Sequence, residues 1–264
     1  GGSGNAVTDG VRFYPWIEAL AWRAPQYDLL YGNETVAWGV FGQDGASLSV
    51  AVTAGSPTET HILGAGLAPD GSLQWDTTAV NDGWYELKAV VFDGAATVDA
   101  IDRDVLVLND TAITWHAGRL GANETWDAAH LHLLLDDVTV PNVVQVTVAP
   151  GAVIKAPRET GINVRDGATL DAQGTLASPI IFTSLADDEA GGDTNLDGGA
   201  TLPRPGDWCG VATEGTGQFV TTAETYVRYY QRVHAGALTA DKTWEGGVVH
   251  RVTGEVVEIG RAHV

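Results

Sequence analysis

An all-β fold is what the sequence predicts, and three observations predict it. Glycine is abundant, 33 residues spread along a 264-residue chain, in the manner of short strands joined by tight turns rather than of helical layers. Apolar residues repeatedly fall on every second position, the period of a strand with one wet face. The composition, 44% apolar and 18% charged with mean hydropathy near zero, suits one or two packed domains with real cores rather than a disordered or fibrous chain.

Residues 27–110 form the first candidate domain. Val36, Trp38 and Val40 alternate, as do Leu48, Val50 and Val52. Gln43-Asp44-Gly45 and Pro69-Asp70-Gly71 supply the Asx-turn and positive-φ chemistry needed between such strands. From Asp82 to Val91, Tyr85, Leu87, Ala89 and Val91 share one face while Glu86 and Lys88 share the other, which predicts a strand. Runs at these spacings are those of a β-sandwich. Residues 1–26 are the end of a preceding module or a linker, and residues 11–24, including Phe13-Tyr14-Pro15-Trp16, are either a last strand of that module or a first strand of this one. Trp38, in phase with Val36 and Val40, belongs to the core. Trp84 falls on the Glu86 face, where a platform for stacking a sugar competes with burial.

Asp76-Thr77-Thr78, Asp82-Gly83-Trp84-Tyr85 and Arg103-Asp104-Val105-Leu106-Val107 together resemble the end of bacterial immunoglobulin-like modules, which occur in strings on exported proteins. Asp82 to Tyr85 is similar to the tyrosine-corner entry of a penultimate strand. The paired cysteines of antibody domains are missing, since Cys209 is the chain's one cysteine and no intramolecular disulfide can form. The resemblance implies an immunoglobulin-like β-sandwich over this part of the chain.

Residues 111–257 have a different texture. Val144, Val146 and Val148 alternate with Gln145 and Thr147; Pro150-Gly151 leads into Ala152-Val153-Ile154-Lys155; Gly167 leads into Ala168-Thr169-Leu170-Asp171-Ala172; and Pro179 precedes Ile180-Ile181-Phe182-Thr183-Ser184. Rungs this short cannot bury their own apolar faces, so they must stack and enclose one continuous interior. The segments 148–155, 172–175 and 179–184 resemble the opening rungs of right-handed parallel β-helix repeat proteins. The expected fold class is therefore all-β, an immunoglobulin-like β-sandwich followed by the first coils of a parallel β-helix. Thr125-Trp126, His132 and Asp137-Val138 recur in spacing as Thr243-Trp244, His250 and Glu255-Val256, which suggests a repeat that is cut off. The last residues, 258–264, resemble the conceptual translation of a sequencing adapter and are left out of fold reasoning. With no methionine even at position 1, the chain reads as a fragment of something longer, with further modules on both sides.

The chemistry is concentrated between Ser184 and Trp208, in an acidic, glycine-rich insertion. Asp193, Asn195, Asp197 and Gly198 reproduce D-x-N-x-D-G, in which alternate side chains direct oxygen ligands inward and glycine permits the sharp turn. Hard oxygen donors and negative charge point to calcium rather than zinc or copper. An EF-hand is rejected, because its twelfth position is Arg204 and no flanking helices are evident. Asp188 and Asp207 are the additional candidate ligands, brought in by folding back through Pro203 and Pro205. A solvated acidic loop is the alternative. His130 and His132, two apart, read as exposed strand histidines, with a zinc pair completed by His116 as the weaker reading. Cys209 reads as a small buried hydrophobe.

Acidic residues outnumber basic ones 34 to 14, a net charge of −20, which excludes a nucleic-acid partner and suits cations and salt-rich or calcium-rich surroundings. No run of eighteen apolar residues exists to span a membrane. The resemblances imply a non-catalytic structural or adhesive segment of a large secreted or cell-surface microbial protein, with a glycan or cell-surface ligand and a calcium-stabilised loop. The alternative is a polysaccharide-degrading enzyme, a lyase or glycoside hydrolase, whose active coils lie beyond the truncation. Asp166, Asp171, Arg165 and Lys155 lie near one another in sequence without a spacing that assigns them catalytic roles.

Overall fold

The computed structural model describes residues 19–41, 48–93, 97–235 and 249–253. The chain divides into two compact units, Gly1–Asn109 and Asp110–Val264. Among the described residues, regular structure is strand throughout apart from one 3-10 turn at Thr77–Ala79, capped by the Asp76 side chain.

The first unit contains β1 (Ala19–Ala24), β2 (Leu29–Leu30), β3 (Asn33–Phe41), β4 (Ser49–Gly55), β5 (Thr60–Leu67), β6 (Gly71–Asp76), β7 (Gly83–Phe92) and β8 (Thr97–Val107). They form two sheets, ordered β1-β3-β6 and β2-β8-β7-β4-β5. Period-two patterning decides which side chains meet: Tyr85, Leu87, Ala89 and Val91 of β7 and Val50, Val52 and Ala54 of β4 are buried, in one core with Val36, Trp38 and Trp75 from the other sheet. Full burial of a side chain such as Leu87 stabilises by roughly 1.5–3 kcal/mol. Trp38 keeps its indole satisfied by donating to the Ala68 carbonyl at 3.1 Å. The Tyr85 hydroxyl lies 3.0 Å from the Asn81 carbonyl and 2.9 Å from Glu59 Oε1; burial and that carboxylate push its pKa up to about 12.

The second unit contains β9 (Ile113–Arg119), β10 (Glu124–Trp126), β11 (Leu131–Val140), β12 (Gln145–Val148), β13 (Val153–Ala156), β14 (Gly161–Val164), β15 (Thr169–Ala172), β16 (Ile180–Ser184), β17 (Gly210–Thr213), β18 (Gln218–Thr221) and β19 (Thr225–Val227), with β20 (Gln231–Ala235) and β21 (Val249–Thr253) as a separate parallel pair. Four strands form a sheet ordered β10-β12-β15-β18; seven form another ordered β17-β14-β11-β13-β16-β19, with β9 also on β11. Every pairing in both sheets is parallel, and register places similar side chains in rows: Val146, Leu170 and Phe219; Val138, Ile162 and Val211; Ile154, Phe182 and Val227. These rows make the core of the unit.

This connectivity corrects the expected fold class, the immunoglobulin-like sandwich followed by the first coils of a parallel β-helix. In the first unit, the five-stranded sheet is mixed, because Leu29 and Leu30 run parallel to β8 while its other pairs are antiparallel. In the second, strands expected as separate rows belong to one branched, seven-stranded sheet, joined through the ten-residue β11. The physical reason is that alternation fixes which face of a strand is buried but not which strand lies beside it. β11 stays extended between Leu134 and Val138, where its register with β9 shifts, instead of turning. What stands is the coarser description, a nearly all-β chain.

Ala19–Ala24, whose place the sequence left open, pairs with β3. The repeat residues Thr243, Trp244, Glu255 and Val256 and the segment 258–264 lie outside the described residues. Among the described residues, no helix is long and apolar enough to cross a membrane.

Candidate metal site

The insertion between β16 and β17 sits where alternation would otherwise leave a wet face. Ile154 and Phe182 enter the core, so Lys155 and Thr183 project from the opposite side of the sheet, yet both are fully buried. The insertion covers them. Gly191, at φ +77°, lies so close that a Cβ there would come within 2.8 Å of Leu131 Cδ1. Lys155 Nζ donates to the Gly192 carbonyl at 2.6 Å and to Thr194 Oγ1 at 2.7 Å. Burial lowers its pKa to about 8, against the opposing pull of Asp187, Asp188 and Asp193. Thr183 donates to Asp187 Oδ2 at 2.6 Å, and Arg228 lies 3.6 Å from the same oxygen.

Above this floor, one carboxylate oxygen each of Asp188, Asp193 and Asp197 lies within 4.8 Å of the others. The local sequence builds the wrap. Asp193 accepts the backbone N–H groups of Asp197 at 3.1 Å and Gly198 at 2.9 Å, with Gly198 at φ +67°. Asp197 accepts those of Gly199, Ala200 and Thr201. The Thr201 hydroxyl bond, then these backbone donors, hold the Asp197 carboxyl below its ordinary range. Asp188 differs: burial, then repulsion from Asp193, raises its pKa, and its Oδ1 is buried without a hydrogen-bond partner. Each Asp193 oxygen accepts one N–H and retains a lone pair for a hard cation, as does the unpartnered Asp188 Oδ1, whereas Asp197 already takes two donors on Oδ1 and three on Oδ2 and ligates only by releasing one of them.

Of the five residues singled out in the sequence, three thus converge. Asn195 stands beside them, its Nδ2 donating to Asp197 Oδ2 and Thr201 Oγ1, both at 2.9 Å. Asp207 is used elsewhere: it accepts from Ser184 Oγ at 3.1 Å and from the Arg204 N–H at 2.7 Å, tying the stem of the insertion together.

The histidines differ from the sequence reading. His132 is buried, its Nδ1 2.9 Å from His116 Nε2 and its Nε2 2.9 Å from the Asp127 carbonyl. The His116 ring lies tilted against the Trp126 ring, centroids 4.3 Å apart, and Glu124 Oε2 accepts the Trp126 indole N–H at 2.9 Å. His130 turns instead to the Asp127 carboxylate at 3.0 Å. Alternation could not show this, because both faces of β11 are covered and Leu131, His132, Leu133 and Leu134 carry no polar mark of an outside. Cys209, expected to be buried, is exposed.

No family model matches the chain, and no curated protein does. A search of solved structures returns an endo-β-1,4-mannanase from Thermotoga petrophila, at 20% identity over 34% of this chain and 20% of that one, with a TM-score of 0.28. A likeness at that level carries no conclusion about fold or activity, and the functional reading therefore rests on the geometry of the chain itself.

Proposed function

We propose that this chain is a non-catalytic structural or adhesive segment of a larger secreted or cell-surface microbial protein, in contact with glycans or another surface ligand, and that calcium stabilises its 185–209 insertion. The observation that carries the reading is the convergence of Asp188, Asp193 and Asp197, with a buried oxygen of Asp188 lacking a hydrogen-bond donor. Carboxylates this close repel one another, and a divalent cation with oxygen ligands turns that repulsion into attraction. The all-oxygen donor set favours calcium over softer-liganded metals. The acidic surface suits an extracellular milieu rich in salt or calcium.

Thermal unfolding of the whole chain in chelator and in millimolar Ca²⁺ or Mg²⁺ tests the metal assignment. Binding confined to the folded state adds about 2.7 kcal/mol when the free ion is at a hundredfold its Kd. The expected result is a Tm raised by several degrees in Ca²⁺, less in Mg²⁺, and no rise in Asp193→Asn. An unchanged Tm, or an equal rise in the variant, defeats it. Retention on glycan-bearing cells without release of soluble sugar supports the adhesive reading; turnover of the polysaccharide defeats it.

A further inference from the structure

The outer face of the five-stranded sheet carries a row that breaks the usual rule for cross-strand neighbours. Asp104 of β8, Glu86 of β7, Gly55 of β4 and Thr60 of β5 stand opposite one another in register. Like charges on directly paired positions oppose sheet pairing, and Glu86 beside Asp104 carries that cost, offset in part by the Lys88 ammonium 3.8 Å from Glu86 Oε1 on the same face. Such local violations concentrate at functional positions.

Gly55 turns the row into a recess. A Cβ at that position would meet Thr60 Oγ1 at 3.6 Å and the Glu86 carbonyl at 4.0 Å, so any larger side chain would fill space that glycine leaves open. Trp84, on the same face of β7, is 43% exposed. The Ser56-Pro57 turn closes another side. Together these residues line an open cavity of about 460 Å³, a size suited to small ligands, whose lining holds two carboxylates, with one ammonium at its border, Lys88, 3.8 Å from Glu86 Oε1.

We propose that this cavity is a saccharide subsite for a neutral or amino sugar, an inference that rests on the glycan-contacting part of the function proposed above. A pyranose has an apolar C–H face and a rim of hydroxyl donors. The Trp84 indole offers the matching flat apolar surface, and the carboxylates of Glu86 and Asp104 are acceptor-only groups that take those hydroxyl protons or a sugar ammonium. Each such bond also relieves the repulsion between the two side chains. Two carboxylates against the single ammonium of Lys88 leave the recess net negative, which disfavours uronic acids and favours an uncharged or cationic sugar.

The test titrates the whole chain, with chelator present, against β-1,4-linked glucose oligomers, chitosan oligomers and oligogalacturonate, followed by calorimetry and by saturation-transfer NMR. Binding of a neutral or amino oligomer, absence of oligogalacturonate binding, and a loss of about tenfold or more in affinity for both Trp84→Ala and Asp104→Asn support the subsite. Two variants are used so that a folding defect in one does not decide the matter, with circular dichroism melts as the control. Equal sugar affinity in both folded variants overturns the site while leaving the adhesive reading in place. Trp84-dependent binding of an arginine-rich peptide without any sugar binding overturns it in favour of a peptide cleft. If the chain binds neither sugars nor cells, the subsite and the adhesive reading both fail.

Discussion

His116 and His132 are wired in a way that fixes one tautomer of each while both are neutral. The Asp127 carbonyl can only accept, so His132 donates to it from Nε2 and presents Nδ1 as the acceptor for the His116 Nε2–H. Adding a proton to His132 would oblige His116 to move its own proton to Nδ1, 3.6 Å from Glu124 Oε2, and to accept at Nε2. Burial, then the His132 charge, lowers the His116 pKa to about 3, and burial lowers that of His132; Glu124, 3.6 Å from His116 Nδ1, and Asp127 oppose this while His130 adds to it. Folded values below the unfolded ones mean that the unfolded chain binds more protons as acid is added. This contribution is therefore complete above about pH 6.5 and is lost between there and about pH 3, at roughly 1.4 kcal/mol per pH unit for each histidine that titrates only when unfolded. Urea unfolding at pH 7 and pH 5 should show the second unit weaker at pH 5, with a flatter dependence in His116→Gln; an unaltered slope refutes the wiring. The D-x-N-x-D-G spacing made Asp193 and Asp197 legible in the sequence. Lys155 was not, since it alternates with Ile154 as a solvent-facing residue would, and what buries it comes some forty residues later in the chain.

At the scale of the element, most strands were legible and their partners were not. Tyr85, Leu87, Ala89 and Val91 declare one buried face of β7, and Val146 and Val148 do so for β12. Nothing in Leu29-Leu30 marks it as the parallel neighbour of β8, and nothing in Leu134 to Asp137 announces that β11 continues through two sets of neighbours. Pairing is decided by rows of side chains that meet only after folding. Leu170, fully buried between Val146 and Phe219, shows what a row is worth. Leu170→Ala should destabilise the second unit by about 2–5 kcal/mol, against less than about 0.5 kcal/mol for the half-exposed neighbour Thr169→Ala. Chemical denaturation measures both, and equal losses would show that the row is not the unit of stability.

For the molecule as a whole, two separate cores imply two separable transitions. Calorimetry of the intact chain should resolve them, with Leu87→Ala lowering one midpoint and Leu170→Ala the other. A single transition that both substitutions move equally would mean that the cores unfold as one. The sequence changes texture near residue 110, where alternating runs with Asp-Gly turns give way to glycine-punctuated four-residue strands. The detailed architecture of each part was not legible there, because sheet order is a property of the assembled chain.

The ammonium sealed beneath the acidic insertion has one more consequence. A keystone cation is already in place there, supplied by the polypeptide and gripping Gly192 and Thr194. Under the calcium binding proposed above, chelation would leave the insertion latched at its base by Lys155, and the ion would tighten only its rim. The response expected of calcium, if it binds as proposed, is therefore that of a dimmer, by degrees, and not that of a fold that collapses when its metal is withdrawn.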